Sequence, residues 1–153
     1  MSKRIWACAL TGHRELPPDF NKNALYDKLE EFLKAGCDSF FCGMARGFDL
    51  LALECLVALK QKYRFYIEAC IPYTGHENGL SRAEKKHYLE LLEWCDQKTI
   101  LFDGYKSGCF LARDRYMVDC SDVVLAYCTK ETGGTAYTAN YALKKGKPVV
   151  YIR

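Results

Sequence analysis

Neither common nucleotide-binding fingerprint occurs in this sequence. There is no Gly-x-Gly-x-x-Gly after the first apolar run, and no Gly-x-x-x-x-Gly-Lys-[Ser/Thr] anywhere. That argues against a classical NAD enzyme and against a P-loop NTPase. No apolar run approaches the roughly 20 residues of a membrane span. The start, Met-Ser-Lys-Arg, leads into about six apolar residues, too few for a signal peptide. The expectations are therefore a cytoplasmic protein and no membrane partner. Charge of one sign is also scarce. A net charge of +3 forms no basic stripe, so nucleic acid is not an expected partner. Cysteine is plentiful, but its pairing motifs are missing. The nine cysteines are odd in number and include no Cys-x-x-Cys. Most fall in apolar strand-like or helix-like runs, so they read as reduced core thiols, with no metal site and no disulfide framework.

What is present is an alternation. The 153 residues, half of them hydrophobic, suit one domain spanning 1–153. Apolar β-type runs at Arg4 to Leu10, Ser39 to Cys42, Phe65 to Ile71, Thr99 to Phe102, Val123 to Tyr127 and Pro148 to Ile152 alternate with helical patterns. Asp19 can cap a helix running to Lys34, with Leu25, Leu29, Phe32 and Leu33 on one stripe. Further helices are expected over Leu50 to Lys60, from Ser81 to Cys95 with Glu84 completing a capping box, within Ser107 to Cys120, and over Thr135 to Lys145. Pro72 is expected to end the third strand, and His76 and His87 to lie on the surface. This order implies an α/β fold: a single Rossmann-like, doubly wound, mostly parallel sheet with helices on both faces. Ligands of such sheets bind at the carboxyl ends of the strands, near a switch in strand order.

Three strands end in polar, glycine-bearing loops that this topology places on one edge. They are Thr11-Gly12-His13-Arg14, then Gly43-Met44-Ala45-Arg46-Gly47-Phe48-Asp49, then Thr129 to Thr135 with Gly133-Gly134. Glycine permits close backbone approach, and a following helix start offers unpaired N–H groups to an anion. Thr132 and Thr135 add hydroxyls, and Arg14 and Arg46 add charge-assisted contacts. Asp49, being negative, reads as an acceptor for a ribose hydroxyl or base N–H, or as a helix cap.

The segments LTGHREL, GMARGFDLLA, RDRYMVDCSDVVLAY and GGTAYTANYALKKGKPVVYI together resemble the SLOG superfamily, and within it the YpsA-like branch of bacterial and phage proteins. The resemblance implies a nucleotide or nucleotide-derived ligand, bound in a sensing or sequestering role without a cofactor. It carries over Thr11, Gly12, His13, Arg14, Gly43, Arg46, Gly47, Asp49, Gly133, Gly134 and Thr135 as ligand-loop residues, and Arg113 and Arg115 as the arginines before the Met-x-x-x-Ser-Asp stretch. The superfamily also holds the Lonely Guy phosphoribohydrolases, whose Pro-Gly-Gly-x-Gly-Thr-x-x-Glu supplies a catalytic glutamate. Here Thr138 stands in that place, which argues against the alternative of a nucleoside-monophosphate N-glycosidase. A further alternative is single-stranded nucleic-acid binding, as in the DNA-processing protein A family. Because relatives pair through helices like those from Leu50 and Thr135, a homo-oligomer is expected.

Overall fold

A computed structural model describes residues 6–152, so Arg4 and Ile5 of the expected first strand lie outside the described residues. The elements run β1 (Trp6–Gly12), α1 (Lys22–Ala35), β2 (Cys37–Cys42), α2 (Phe48–Leu59), β3 (Tyr66–Tyr73), a 3-10 turn (His76–Gly79), α3 (Arg82–Leu92), β4 (Gln97–Phe102), α4 (Cys109–Asp119), β5 (Val123–Tyr127), α5 (Gly134–Lys144) and β6 (Val149–Tyr151). The strands form one sheet in the order β4-β3-β2-β1-β5-β6, and every pairing is parallel. The fold is the expected Rossmann-like α/β sheet.

The two periodicities sort the side chains into two layers. Cys8 and Leu10 of β1 and Phe40 and Cys42 of β2 pack against α1, α2 and α3, through residues such as Leu29, Leu53 and Tyr88. The alternate strand residues Ala9, Phe41, Cys70, Val124 and Ala126 pack against Met117 and Val118 of α4 and Ala142 of α5. The chain builds outward from β1 to β4 beneath one helical layer. It then returns along α4 on the opposite face to place β5 at the free side of β1. The strand order thus reverses between β1 and β5, whose register pairs Gly12 with Tyr127.

Several local expectations change. Asn21, not Asp19, caps α1, accepting the Ala24 N–H at 3.0 Å. The Phe20 N–H bonds the Pro17 carbonyl, so Asp19 belongs to a turn that precedes the helix. Strand β3 continues through Pro72 to Tyr73. The pairing of β3 with β2 ends at Ala69, while β4 pairs with Ile71 and Tyr73 on either side of Pro72, so the missing proline N–H costs the sheet at most one ladder bond. His76 is half-buried rather than exposed. It packs against Tyr73, Tyr88 and Phe110, and burial, aided by Arg113 and Arg14, holds its pKa down at about 4. Ser81 and Glu84 form the expected capping box. All nine cysteines are free thiols. The apolar residues of α2, from Phe48 through Leu59, are consumed inside the chain between the sheet and neighbouring helices. Among the described residues no helix is long and apolar enough to cross a membrane.

Candidate ligand-binding cleft

At the carboxyl edge, between the loops after β1 and β5, lies a cleft of about 480 Å³. Thr11 through Glu15 form one wall, Lys130 and Thr132–Thr135 the other, and Asp49, Phe110 and Arg113 are among the residues that line it between them. The volume falls in the range of small-molecule sites, and the position is the switch point that parallel sheets use for ligands.

The two walls are fastened to each other. The backbone N–H of Thr129 donates to Nε2 of His13 at 2.9 Å, and the His13 ring meets Tyr127 edge-on at 5.6 Å. Burial and then Lys130 hold the His13 pKa below its ordinary value, which keeps Nε2 an acceptor. His13 therefore lines the cleft and also braces it.

The glycines divide by role. A Cβ on Gly12 would stand 2.2 Å from Cγ of Phe48, so this glycine makes room for a ring of α2. Gly47 has φ +81, and a Cβ there would stand 2.3 Å from the Arg14 carbonyl oxygen. The β1 loop lies directly on it, and the Phe48 N–H bonds the His13 carbonyl at 3.0 Å. The start of α2 is thus covered by the chain's own backbone. Gly43 makes room for the Arg113 guanidinium. Gly134 has no atom within 4 Å of a would-be Cβ, and neither does Gly133 at φ +102. These two open the cleft side of α5, whose first turn has no side-chain cap. Of the two helix starts that sequence offers to an anion, only that of α5 remains open.

The arginines divide as well. Arg14 is exposed, with its guanidinium 4.9 Å from the centre of the Phe110 ring. Arg46 pairs with Glu15 on the rim. Arg113 is only 4% exposed. It donates to the Gly43 carbonyl, to the Cys70 carbonyl at 3.4 Å and from Nε to Asp114 at 2.7 Å, so it staples α4 to the ends of β2 and β3. Arg115 donates to the Tyr137 hydroxyl at 2.9 Å and links α4 to α5, outside the cleft lining.

Asp49 sits in the first turn of α2, 6% exposed, on the cleft floor. Its Oδ2 accepts the Ala45 N–H at 3.2 Å. Thr138 is buried, and its hydroxyl donates to the Gly134 carbonyl at 2.8 Å, which closes it off from the cleft. Phe110 and Lys130 are lining residues that the sequence did not single out. Phe110 stands outside the glycine loops and joins the site because α4 converges on it, whereas Lys130 lies within the loop after β5. In the β2 loop Met44 is buried and holds a φ of 62.

A model of the YspA SLOG family matches residues 18–151. Among curated proteins none matches this chain. A structure of DNA processing protein A from Helicobacter pylori, described by its single-stranded DNA binding mode, superposes with a TM-score of 0.68 at 24% identity, covering 97% of this chain and 65% of that one. DNA processing protein A from Streptococcus pneumoniae superposes with a TM-score of 0.73 at 16% identity, covering 97% of this chain and 50% of that one. This chain thus spans between half and two thirds of those structures. The likeness corrects one expectation. A small net charge does not set nucleic acid aside as a partner, because the Helicobacter pylori protein, which carries this fold, binds single-stranded DNA.

Proposed function

The chain belongs to the YspA SLOG family, and we propose that its cleft binds a nucleotide or nucleotide-derived ligand. The observation that carries this reading is the pairing of an open helix start with an opposed cation across a strand-order switch. Thr132, Gly133, Gly134 and Thr135 present hydroxyls and the uncapped first turn of α5 on one wall. Arg14 stands on the other, over the ring of Phe110. The helix start and guanidinium suit a phosphate, and the aromatic face suits a base. Binding without turnover is supported by Thr138. It occupies the place of the glutamate that Lonely Guy enzymes use, and its hydroxyl is already bonded to Gly134. Calorimetric titration with a panel of ribonucleoside mono- and diphosphates, together with native mass spectrometry for a co-purified nucleotide, tests the reading. A dissociation constant below the millimolar range for at least one of them is expected. Absence of heat from every one, with no co-purified mass, overturns it.

A second reading has its own observation. Tyr105, 69% exposed, stacks edge-on with Tyr73 at 5.6 Å and lies 6.3 Å from Phe110. Lys106 adjoins this group over Phe102. Aromatic faces beside cations are the means by which single strands are held without sequence preference. The likeness to DNA processing protein A supports the same reading. Fluorescence anisotropy with an oligothymidylate, repeated across salt concentrations, separates the two. A strand binder loses affinity steeply with salt and with Tyr105→Ala, whereas a mononucleotide site, with a single phosphate group to screen, has a shallow salt slope and is indifferent to Tyr105→Ala.

A further inference from the structure

Among the described residues, one buried side-chain oxygen or nitrogen has no hydrogen-bond partner, and it is Oδ1 of Asp49. The carboxyl lines the cleft, its other oxygen accepts the Ala45 N–H, and no ion pair closes on it among the described residues. The nearby Arg113 favours its ionised form but makes no hydrogen bond to it. The Arg113 guanidinium is committed to Asp114, to the Gly43 carbonyl and to the Cys70 carbonyl. An ionised carboxylate with one bare oxygen in such a place is costly. It would also repel the anion that Arg14 and the α5 start attract.

Resting on the nucleotide reading above, we propose that Asp49 meets the phosphate of the ligand as an uncharged carboxyl, with Oδ1–H donating to a phosphate oxygen. Oδ2 already holds a donor, so the proton belongs on Oδ1, the oxygen left without a partner. An O–H···O⁻ bond of this kind is short and strong, and a carboxylic acid kept neutral by its surroundings is an established means of donating one.

The electrostatics agree with the geometry. Burial is the largest influence and raises the carboxyl to about 7, with Asp114 of α4 pushing the same way. Arg113 of α4, the Ala45 N–H and Arg14 of the β1 loop pull it down. Cys42, at the end of β2, faces it as a thiol that donates to the Asp49 backbone carbonyl at 3.5 Å. Its own titration is pushed far up by burial, so it stays neutral throughout. An anion placed against Oδ1 favours the protonated form further, so binding takes up a proton wherever the free carboxyl is ionised.

Sulfate is the probe, because it is a tetrahedral dianion whose charge stays constant over the range of interest. Its affinity is measured by NMR titration at a series of pH values, with the Asp49 side-chain carboxyl followed by its ¹³C resonance. Above about pH 7 the affinity is expected to fall about ten-fold per pH unit, and saturating sulfate is expected to hold the Asp49 resonance at its protonated position. Asp49→Asn keeps a donor but cannot titrate, and its affinity is expected to be flat with pH. Three results overturn the proposal: no sulfate bound at any pH, a wild-type profile that is flat or rises with pH, or an unchanged slope in Asp49→Asn. Should that variant not fold, the wild-type carboxyl titration decides alone. The nucleotide reading fails separately. Sulfate bound with the expected slope beside a nucleotide panel that gives no heat sinks that reading and leaves Asp49 as an anion donor. A nucleotide bound with no pH slope does the reverse.

Discussion

The imidazole of His13 holds the backbone N–H of Thr129 at 2.9 Å, and this bond ties the loop after β1 to the loop after β5. Strand register puts the two loops side by side, since Gly12 pairs with Tyr127. It does not fix the distance between their tips, and His13 does. The cleft width therefore depends on a titratable acceptor. His13→Ala is expected to cost about 1 kcal/mol of stability and to raise the amide exchange rate of Thr129. Its folded-state pKa is depressed, so the contribution is present above the unfolded value of 6.5 and is lost as pH falls through the depressed value. Nitrogen NMR of the ring, followed downward in pH, should show Nε2 protonation and faster Thr129 exchange together.

Gly47 and Gly134 look alike in sequence and differ in space. Gly47→Ala forces a side chain into the left-handed region and against the Arg14 carbonyl. A loss of about 2–4 kcal/mol is expected, or roughly 5–15 °C in Tm. At Gly134 the space is open and the residue starts a helix. Gly134→Ala should leave Tm within a few degrees of the parent, while Gly134→Val should weaken ligand binding by crowding the cleft. Thermal denaturation of both alanine variants tests the contrast. Equal Tm losses would mean that the glycines share one role.

Arg113 and Arg115 separate in the same manner. Removing Arg113 leaves Asp114 and two carbonyls unpaired in a buried place, and Arg113→Met is expected to cost about 3–5 kcal/mol. Arg115 makes one bond to Tyr137 at a partly exposed position, and Arg115→Ala should cost under about 1 kcal/mol. Urea denaturation curves of the two variants measure both.

How far the sequence could be read follows from these cases. The alternation of runs made the parallel sheet and its ligand edge legible, because both depend on periodicity and on the handedness of crossovers. The loops at the β1 and β5 ends were legible from their glycines. What those glycines accommodate was not. Gly12 answers to Phe48, Gly43 to Arg113 and Gly47 to Arg14, all of them neighbours that only the packed structure supplies. Asp49 was legible as an acid in an odd place, yet its bare oxygen depends on where the Arg113 guanidinium went. Phe110 carries no local motif and reaches the cleft through tertiary convergence, whereas Lys130 lies inside the loop after β5, where only the glycines and hydroxyls mark an anion site.

Asp49 also predicts a pH dependence of folding. Its folded-state pKa is raised from 3.8 to about 7, so it disfavours the folded state once ionised. The sign is that stability is fully present below the unfolded value and declines as pH rises from about 4 to 7. Relative to the parent, Asp49→Asn should therefore gain stability over that window, by up to about 4 kcal/mol at pH 8. Paired urea titrations at pH 5 and pH 8 give the difference. A gain that is the same at both would show that the carboxyl is not buried at cost.

Arg14 is the residue on which folding and binding should part most cleanly. It is exposed, its guanidinium rests 4.9 Å from the centre of the Phe110 ring, and the backbone around it is held by Gly47 and by the His13 carbonyl bond to Phe48. Truncating the side chain therefore leaves the loop in place, and Arg14→Ala should change stability by less than about 0.5 kcal/mol. A charge-assisted bond to phosphate contributes about 1.5–3 kcal/mol, so the same variant should bind a nucleotide roughly ten- to a hundred-fold more weakly. Arg14→Lys keeps the charge but loses the planar fork and its fit over the ring, and should recover only part of the loss. Phe110→Leu removes both the support under the Arg14 guanidinium and the aromatic face offered to a base, so it should weaken sulfate somewhat and a nucleotide with its base attached more. Calorimetric titration of the three variants, with sulfate as the comparison, reads all of this. Parent-like affinity in Arg14→Ala would show that the loop after β1 is a turn and that the anion is held elsewhere.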